Sequence, residues 1–303
     1  MTVMAALRTV EEIARDHGCA VEREVSLAGL TSVGIGGPAE WLLFPAAAAA
    51  IPALLRELHA AGERVRFLGN GTNVLAADAG VRGAVLSLSR LAQAPRFEGT
   101  ALVAPGGASL PHLVRMAVGR GLRGLEFAEG IPGSLGGAVV TNAGAFGGEV
   151  GPKVRRVTAV GPDGMVEERT VRAEEFAYRR SPFGAELVLE AALELREDDP
   201  GVLREEVRGF RMQRIASQPL GERSLGSVFR NPPGETAGRL IEGCGLKGLR
   251  RGAAVVSARH ANWIVNAGGA TAEDYLGLAE EVREEVLRRT GIALELEIRV
   301  WRD

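Results

Sequence analysis

Residues 129–148 read EGIPGSLGGAVVTNAGAFGG, in which seven of twenty residues are glycine and none is lysine or arginine. Glycine at this density weakens helix and strand alike, and a folded chain keeps it where φ must be positive or where another group must come close to the backbone. The stretch therefore reads as a loop built to pack or to bind. A ligand carrying phosphates is its first candidate.

Two further glycine loops sharpen that reading. A nucleotide-hydrolysing P-loop needs Gly-x4-Gly-Lys followed by Ser or Thr, and Lys153 and Lys247, the only lysines, occupy no such position. GIGGPA at Gly34 to Ala39 satisfies the letters of a dinucleotide fingerprint, yet the strand-like EWLLF follows it where a helix should open, so it reads as a glycine turn entering a strand. LGNGTNVL, Leu68 to Leu75, places Gly69 and Gly71 beside Asn70, Thr72 and Asn73. Successive amides in such a turn form an anion-binding concavity without any lysine, and a plain turn fits equally well. In the opening stretch Pro132 fixes a turn while Gly133, Gly136 and Gly137 permit close approach; alone it reads as a packing segment between lobes. Three such loops between residues 34 and 148 favour one large dinucleotide held mostly by main-chain groups.

A chain of 303 residues suits two or three domains, and 46% hydrophobic with 24% charged residues is the balance of a folded soluble protein. The net charge is -2 and the basic residues are spread out, so no nucleic-acid partner is expected. Cys19 and Cys244 form no CxxC and the four histidines show no ligand spacing, so no metal is expected. The amino-terminal residues lack the apolar core of a leader, and the longest apolar run, Trp41 to Leu55, is interrupted by Pro45 and Pro52; neither a membrane partner nor an export route is expected, and the cytoplasm is the default.

Helical patterning covers Thr9 to His17, Ala46 to Ala61, Ser109 to Val118, Val202 to Ile215, Thr236 to Glu242 and Thr271 to Arg289. Between them lie the strand-like runs EWLLF, VRFLG, AVLSL, TALVA, RRVTAV, LVLEAALEL, AAVVS, NWIVN and IALELEIRV. Their irregular alternation predicts an α+β or mixed α/β chain, and REDDPG at 196–201 is the best domain boundary.

Reactive side chains gather in three places. FAYRRSPFG, residues 176–184, holds Tyr178, Arg179 and Arg180; such a triplet by itself reads as solvated surface. LGSVFRNPPG, residues 225–234, holds Ser227 and Asn231, without the Gly-x-Ser-x-Gly elbow of a hydrolase. In the terminal run, alternation puts Ile292, Leu294, Leu296, Ile298 and Val300 on one face and Glu295, Glu297 and Arg299 on the other, while RHANWIVN adds His260 and Asn262 ahead of a strand. These patterns alone do not reach a reaction.

Taken in order, LTSVGIGGPAEWLLFP, LGNGTNVL, GLEFAEGIPGSLGGAVVTNAGAFGGE, FAYRRSPF, GSVFRNP, AGRLIEGCGLKG, ARHANWIVN and LELEIR resemble the UDP-N-acetylenolpyruvoylglucosamine reductases, the MurB-type flavoenzymes of peptidoglycan synthesis. The resemblance runs from about Leu30 to the end, and its specificity lies in order and spacing. It implies an α+β fold: a two-lobed FAD-binding part of the vanillyl-alcohol-oxidase type over 1–198, lobes about 1–76 and 77–198, then an α+β substrate-binding domain over 199–303.

It further implies that FAD lies at Gly69, Asn70, Gly71, Thr72, Asn73, Ile131, Pro132, Gly133, Ser134, Gly137, Asn142 and Gly144. NADPH would reduce the flavin, which would then pass hydride to C3 of the enolpyruvyl group of a nucleotide-sugar substrate. Ser227 would give C2 its proton, and Arg179 and Glu297 would polarise the substrate carboxylate. Tyr178, Arg214, Asn231 and His260 would contact substrate, Arg214 standing where the family often has lysine. The short link from FAYRRSPF to REDDPG implies the shorter form of the family, without an extra tyrosine-bearing loop, and a monomer is expected. The alternatives are an FAD-dependent oxidase of the same flavin fold and a non-catalytic nucleotide-sugar binding protein.

Overall fold

The computed structural model describes residues 8–91 and 93–303; the first seven residues of the segment read for a leader lie outside them. Among the described residues the α-helices are α1 (Val10–Asp16), α2 (Ile51–Ala60), α3 (Leu110–Gly119), α4 (Leu135–Thr141), α5 (Pro200–Ser217), α6 (Ala237–Gly243) and α7 (Ala272–Thr290). The sequence predicts all of these but α4, which lies inside the glycine stretch that reads as a loop. Ser134 explains it: its Oγ accepts from the Gly137 amide at 3.3 Å, capping a helix whose Leu135, Ala138 and Val139 are buried. Apolar spacing and one cap outweigh the low propensity of Gly136 and Gly137.

The described residues form two compact units. The first comprises residues 8–25, Ala39–Gly69 and Arg82–Val207. It contains two cores. One lies between α1 and α2 and a sheet whose strands run Cys19–Ser26, Pro38–Pro45, Val81–Ser87, Val65–Leu68 in spatial order, and it buries Ile13, Leu43, Leu54, Leu58 and Leu86. The other lies between α3, α4 and an antiparallel sheet ordered Val166–Thr170, Val154–Val160, Leu187–Glu194, Ala101–Pro105, Arg96–Glu98. Leu110, Leu113, Val139, Val157, Val188 and Leu193 fill it. Each sheet presents one apolar face and each helix one apolar stripe, and these close on each other.

The second unit comprises Ser26–Pro38, Asn70–Val81 and Arg208–Asp303. Its sheet runs Ser224–Ser227, Trp263–Asn266, Ala254–Val256, Arg250–Arg251, all antiparallel, and it shares one core with α6 and α7. α7 starts where the sequence places it: Thr271 Oγ1 accepts from the Asp274 amide at 3.0 Å and Asp274 Oδ2 from the Thr271 amide at 3.2 Å. It stops at Gly291, φ 73°. Tyr275, Leu278, Ala279, Val282 and Val286 are its buried stripe.

Val33, Ile35 and Leu75 belong to this same core, so two short segments from the first eighty residues are built into the unit formed by the last hundred or so. Divisions at residues 76 and 198 are linear; the compact units are not, because the core is completed by apolar side chains wherever along the chain they arise. Among the described residues no helix is long and apolar enough to cross a membrane.

The terminal run IALELEIRV is less regular than its alternation predicts. Only Arg299–Trp301 is laddered strand, parallel to Val74–Ala76, while Leu296 makes an isolated antiparallel bridge to Phe229. The segment changes partner midway, and its two pairings have opposite sense, so they form no continuous ladder. Burial still follows the alternation: Leu294 and Ile298 are buried, Glu295 and Arg299 exposed.

Candidate active site

In the first unit the glycine stretch is stitched to the chain around residue 106. The Leu110 amide donates to Gly133 O at 3.0 Å and the Gly136 amide to Gly106 O at 2.8 Å. Ile131 packs against the second core, Pro132 is exposed, and Gly137 presents an exposed face at the start of α4. A Cβ on Gly69 would sit 2.7 Å from Ser134 Oγ, so the absent side chain leaves room for that buried hydroxyl. Other glycines of the stretch serve the protein itself, since a Cβ on Gly148 would enter the Phe127 ring. Residues 129–148 carry no lysine or arginine, so a pyrophosphate or flavin ring held here would meet main-chain groups and uncharged side chains.

Asn142 is fully buried in a left-handed conformation, φ 45°, at the end of α4. Its Nδ2 donates to Ala177 O and to Glu149 Oε2, both at 2.9 Å, and its Oδ1 accepts from the Gly151 amide at 2.8 Å. Arg179 lies in the same neighbourhood. Its Nη2 donates to Gly144 O at 2.9 Å and its guanidinium carbon stands 4.8 Å from the centre of the exposed Tyr178 ring. The triplet that reads as solvated surface therefore holds an arginine whose side chain is only 18% exposed.

In the second unit the loop after Gly69 is fixed by backbone packing. Gly71 has φ 63° and lies on the Leu30 carbonyl, and its own O accepts from the Ser32 amide at 3.0 Å. Asn70 is exposed and Thr72 half-buried. Asn73 O accepts from the Arg299 amide at 2.9 Å, and Asn73 Nδ2 donates to Glu297 O at 3.2 Å.

Glu297 in turn donates its amide to Val228 O at 2.8 Å, next to Ser227. The main chain at Val228, next to Ser227, the main chain at Glu297 and the asparagine at 73 are thus brought together from three distant parts of the chain. Asn262, which the sequence notes but gives no role, holds this arrangement: its Oδ1 accepts from the Phe229 amide at 3.0 Å and its Nδ2 donates to Phe229 O at 2.8 Å. Only 3% of it is exposed. A buried amide that satisfies both backbone groups of one residue locks that residue's course.

Three further residues in this unit hold other positions. Asn231 is exposed, with Oδ1 accepting from the Ala237 amide at 3.0 Å at the start of α6. Arg214 is buried in the last turn of α5 and donates to Gln218 Oε1 at 3.0 Å. His260 lies 6.0 Å from the Trp263 ring, its Nδ1 accepting from the Asn262 amide at 3.3 Å. Burial, and after it the Lys247 cation, holds the imidazole below its ordinary titration range. Gly69, Ile131 to Ser134, Gly137, Asn142, Gly144, Tyr178 and Arg179 belong to the first unit, and the remaining expected site residues to the second.

Glu149 is the residue that sequence reasoning passes over. It closes the motif AFGGE, and a carboxylate after two glycines gives no sign that it faces an arginine thirty residues on.

Comparison with known proteins bears on both units. Residues 38–169 match the FAD binding domain family, and residues 218–301 match the family described as UDP-N-acetylenolpyruvoylglucosamine reductase, C-terminal domain. UDP-N-acetylenolpyruvoylglucosamine reductase of Alkalilimnicola ehrlichii is 46% identical over 276 residues, 90% of this chain and 92% of that one. UDP-N-acetylenolpyruvoylglucosamine reductase 2 of Symbiobacterium thermophilum is 43% identical over 294 residues, 96% of this chain and 95% of that one. The crystal structure of the reductase (MurB) from Thermus caldophilus superposes with a TM-score of 0.80 at 38% identity, covering 94% of this chain and all of that one. With identity of this order along nearly the whole chain and a matching fold, the protein belongs to the UDP-N-acetylenolpyruvoylglucosamine reductase family.

Proposed function

We propose that the protein is an NADPH-dependent flavoenzyme that reduces the enolpyruvyl ether of UDP-N-acetylglucosamine enolpyruvate to the lactyl ether of UDP-N-acetylmuramate, acting as a monomer in the cytoplasm. FAD, when bound, would supply the hydride chemistry that links NADPH oxidation to reduction at C3 of the enolpyruvyl group. The residues that would hold it are Gly69 to Asn73, Ile131 to Ser134, Gly137, Asn142 and Gly144. The observation that supports the reading best is the bond from the Glu297 amide to Val228 O at 2.8 Å, which sets Ser227 and Glu297 on adjoining segments.

The remaining work falls to the chain's own side chains. Charge that develops on C2 and its carboxylate needs a fixed cation, and Arg179 supplies it. Glu297 acts on the same carboxylate. A carboxyl beside a carboxylate stabilises it only by donating a hydrogen bond. Ser227 gives its hydroxyl proton to C2 and recovers one from solvent. A serine hydroxyl is a weak acid, and it performs this step only against a strongly basic carbon. Tyr178, Arg214, Asn231 and His260 contact the nucleotide sugar.

The test is spectroscopic. The purified protein is expected to be yellow, to bleach with NADPH in the absence of oxygen, and to regain its colour when the enolpyruvyl substrate is added. Recovery with oxygen alone would instead identify an oxidase. A colourless protein that takes up no FAD would leave only a binding role.

A further inference from the structure

Backbone strain is concentrated around Arg179. Of the four non-glycine residues with positive φ among those described, three are Asn142 at 45°, Phe146 at 50° and Arg179 itself at 54°. Such conformations are disfavoured for residues with side chains and persist where the surroundings over-determine them. Here the surroundings are specific. Glu149 stands opposite Gly144 in a short antiparallel hairpin, and Gly144 has no side chain to cover the space beneath it. A Cβ there would lie 2.9 Å from Glu149 Cγ and 3.2 Å from Arg179 Nη1, so the guanidinium and the carboxylate share the room that this glycine leaves.

The Glu149 side chain is divided between two partners. Oε2 accepts from Asn142 Nδ2 at 2.9 Å, and Oε1 lies 4.0 Å from Arg179 Nη1. Asn142 also donates to Ala177 O, two residues before Arg179, and its own carbonyl receives Arg179 Nη1 at 3.5 Å. One buried amide thus fixes both the carboxylate that faces the guanidinium and the backbone that carries it.

We infer that Glu149, anchored by Asn142, is a positioning residue for Arg179, setting the guanidinium in the orientation from which it meets the substrate carboxylate. The inference rests on the function proposed above. Orientation matters because a planar guanidinium binds a carboxylate through a fixed pair of N–H groups, and a small tilt breaks one of the two.

Glu149→Gln tests it. The amide oxygen still accepts from Asn142, while its NH2 turns a donor toward the guanidinium, so the frame is kept and the attraction is lost. The variant is expected to keep its FAD, its melting temperature and, within about twofold, its bleaching by NADPH, while recovery of colour with the enolpyruvyl substrate slows by about 10- to 100-fold. In an Arg179→Ala background the same change should slow recovery by less than about twofold, since a residue acting through Arg179 has nothing left to act on.

Wild-type recovery from Glu149→Gln, equal loss of both half-reactions, or a full further slowing in the double variant would each overturn the inference. If the Gln variant fails to hold FAD, Glu149→Asp and Glu149→Ser are compared; the Ser variant must be the slower with substrate alone, and equal rates overturn the inference. A wild-type protein that does not bleach with NADPH would refute the proposed function itself, and the two failures are thereby told apart.

Discussion

Ser227 is half-buried on a segment held from both sides, by the main chain at Glu297 and by the paired bonds of Asn262 to Phe229. Replacing its hydroxyl by hydrogen leaves that frame intact, so Ser227→Ala should abolish product formation and leave bleaching by NADPH nearly unchanged. Loss of both half-reactions would contradict the assigned role. For Glu297 the side-chain chemistry decides: Glu297→Gln keeps an N–H donor and should retain about tenfold more activity than Glu297→Ala, measured as kcat. His260 carries a pH effect. Its folded form resists protonation, so the unfolded chain takes up the proton first as pH falls through the ordinary histidine value of 6.5. Stability contributed by the neutral imidazole is whole above that value and is lost below it. The melting temperature should therefore drop between about pH 7.5 and about pH 5.5, and His260→Gln should flatten part of the drop.

At the scale of the element, α7 shows how local signals and distant contacts combine. Its capping box and terminal glycine are written in the sequence, as is its apolar stripe. Asp78 is not: its Oδ1 accepts from the Ala272 amide at 2.8 Å and its Oδ2 from the Glu273 amide at 3.1 Å, so a residue nearly two hundred positions away serves the first turn. Thr271→Ala should cost about 1 kcal/mol in chemical denaturation. Asp78→Ala should cost about 1 to 2 kcal/mol, as two amides lose an acceptor. If Asp78→Ala has no effect, solvent serves those amides as well as the carboxylate does. The glycine stretch gives the opposite lesson. Glycine count predicts a loop there, and α4 forms because Ser134 caps it and the second core buries its apolar side. Arg179 was legible only as a surface triplet plus a resemblance; its low exposure comes from Gly144, Tyr178 and Glu149, which no spacing rule links to it.

Across the whole molecule, the second unit draws Val33, Ile35 and Leu75 into its core, and Val74–Ala76 is the strand on which Arg299–Trp301 pairs. A fragment of residues 208–303 would lack all of these. It should show no cooperative unfolding transition by circular dichroism, and a fragment that melts cooperatively would show that the carboxy-terminal residues suffice as a domain. The sequence by itself determined the α+β class, most of the helices with their caps, the absence of a lysine-bearing phosphate loop and, through the order of its motifs, the family. Those properties depend on residues close together along the chain or on a pattern that can be read in line. Tertiary structure alone decided which distant segments complete a core, that Asn73, Val228 and Glu297 meet, and that Asn142 and Glu149 gather around Arg179. Those are contacts between residues far apart in sequence, and they follow from burial and from satisfying buried polar groups in three dimensions, which local propensity does not encode.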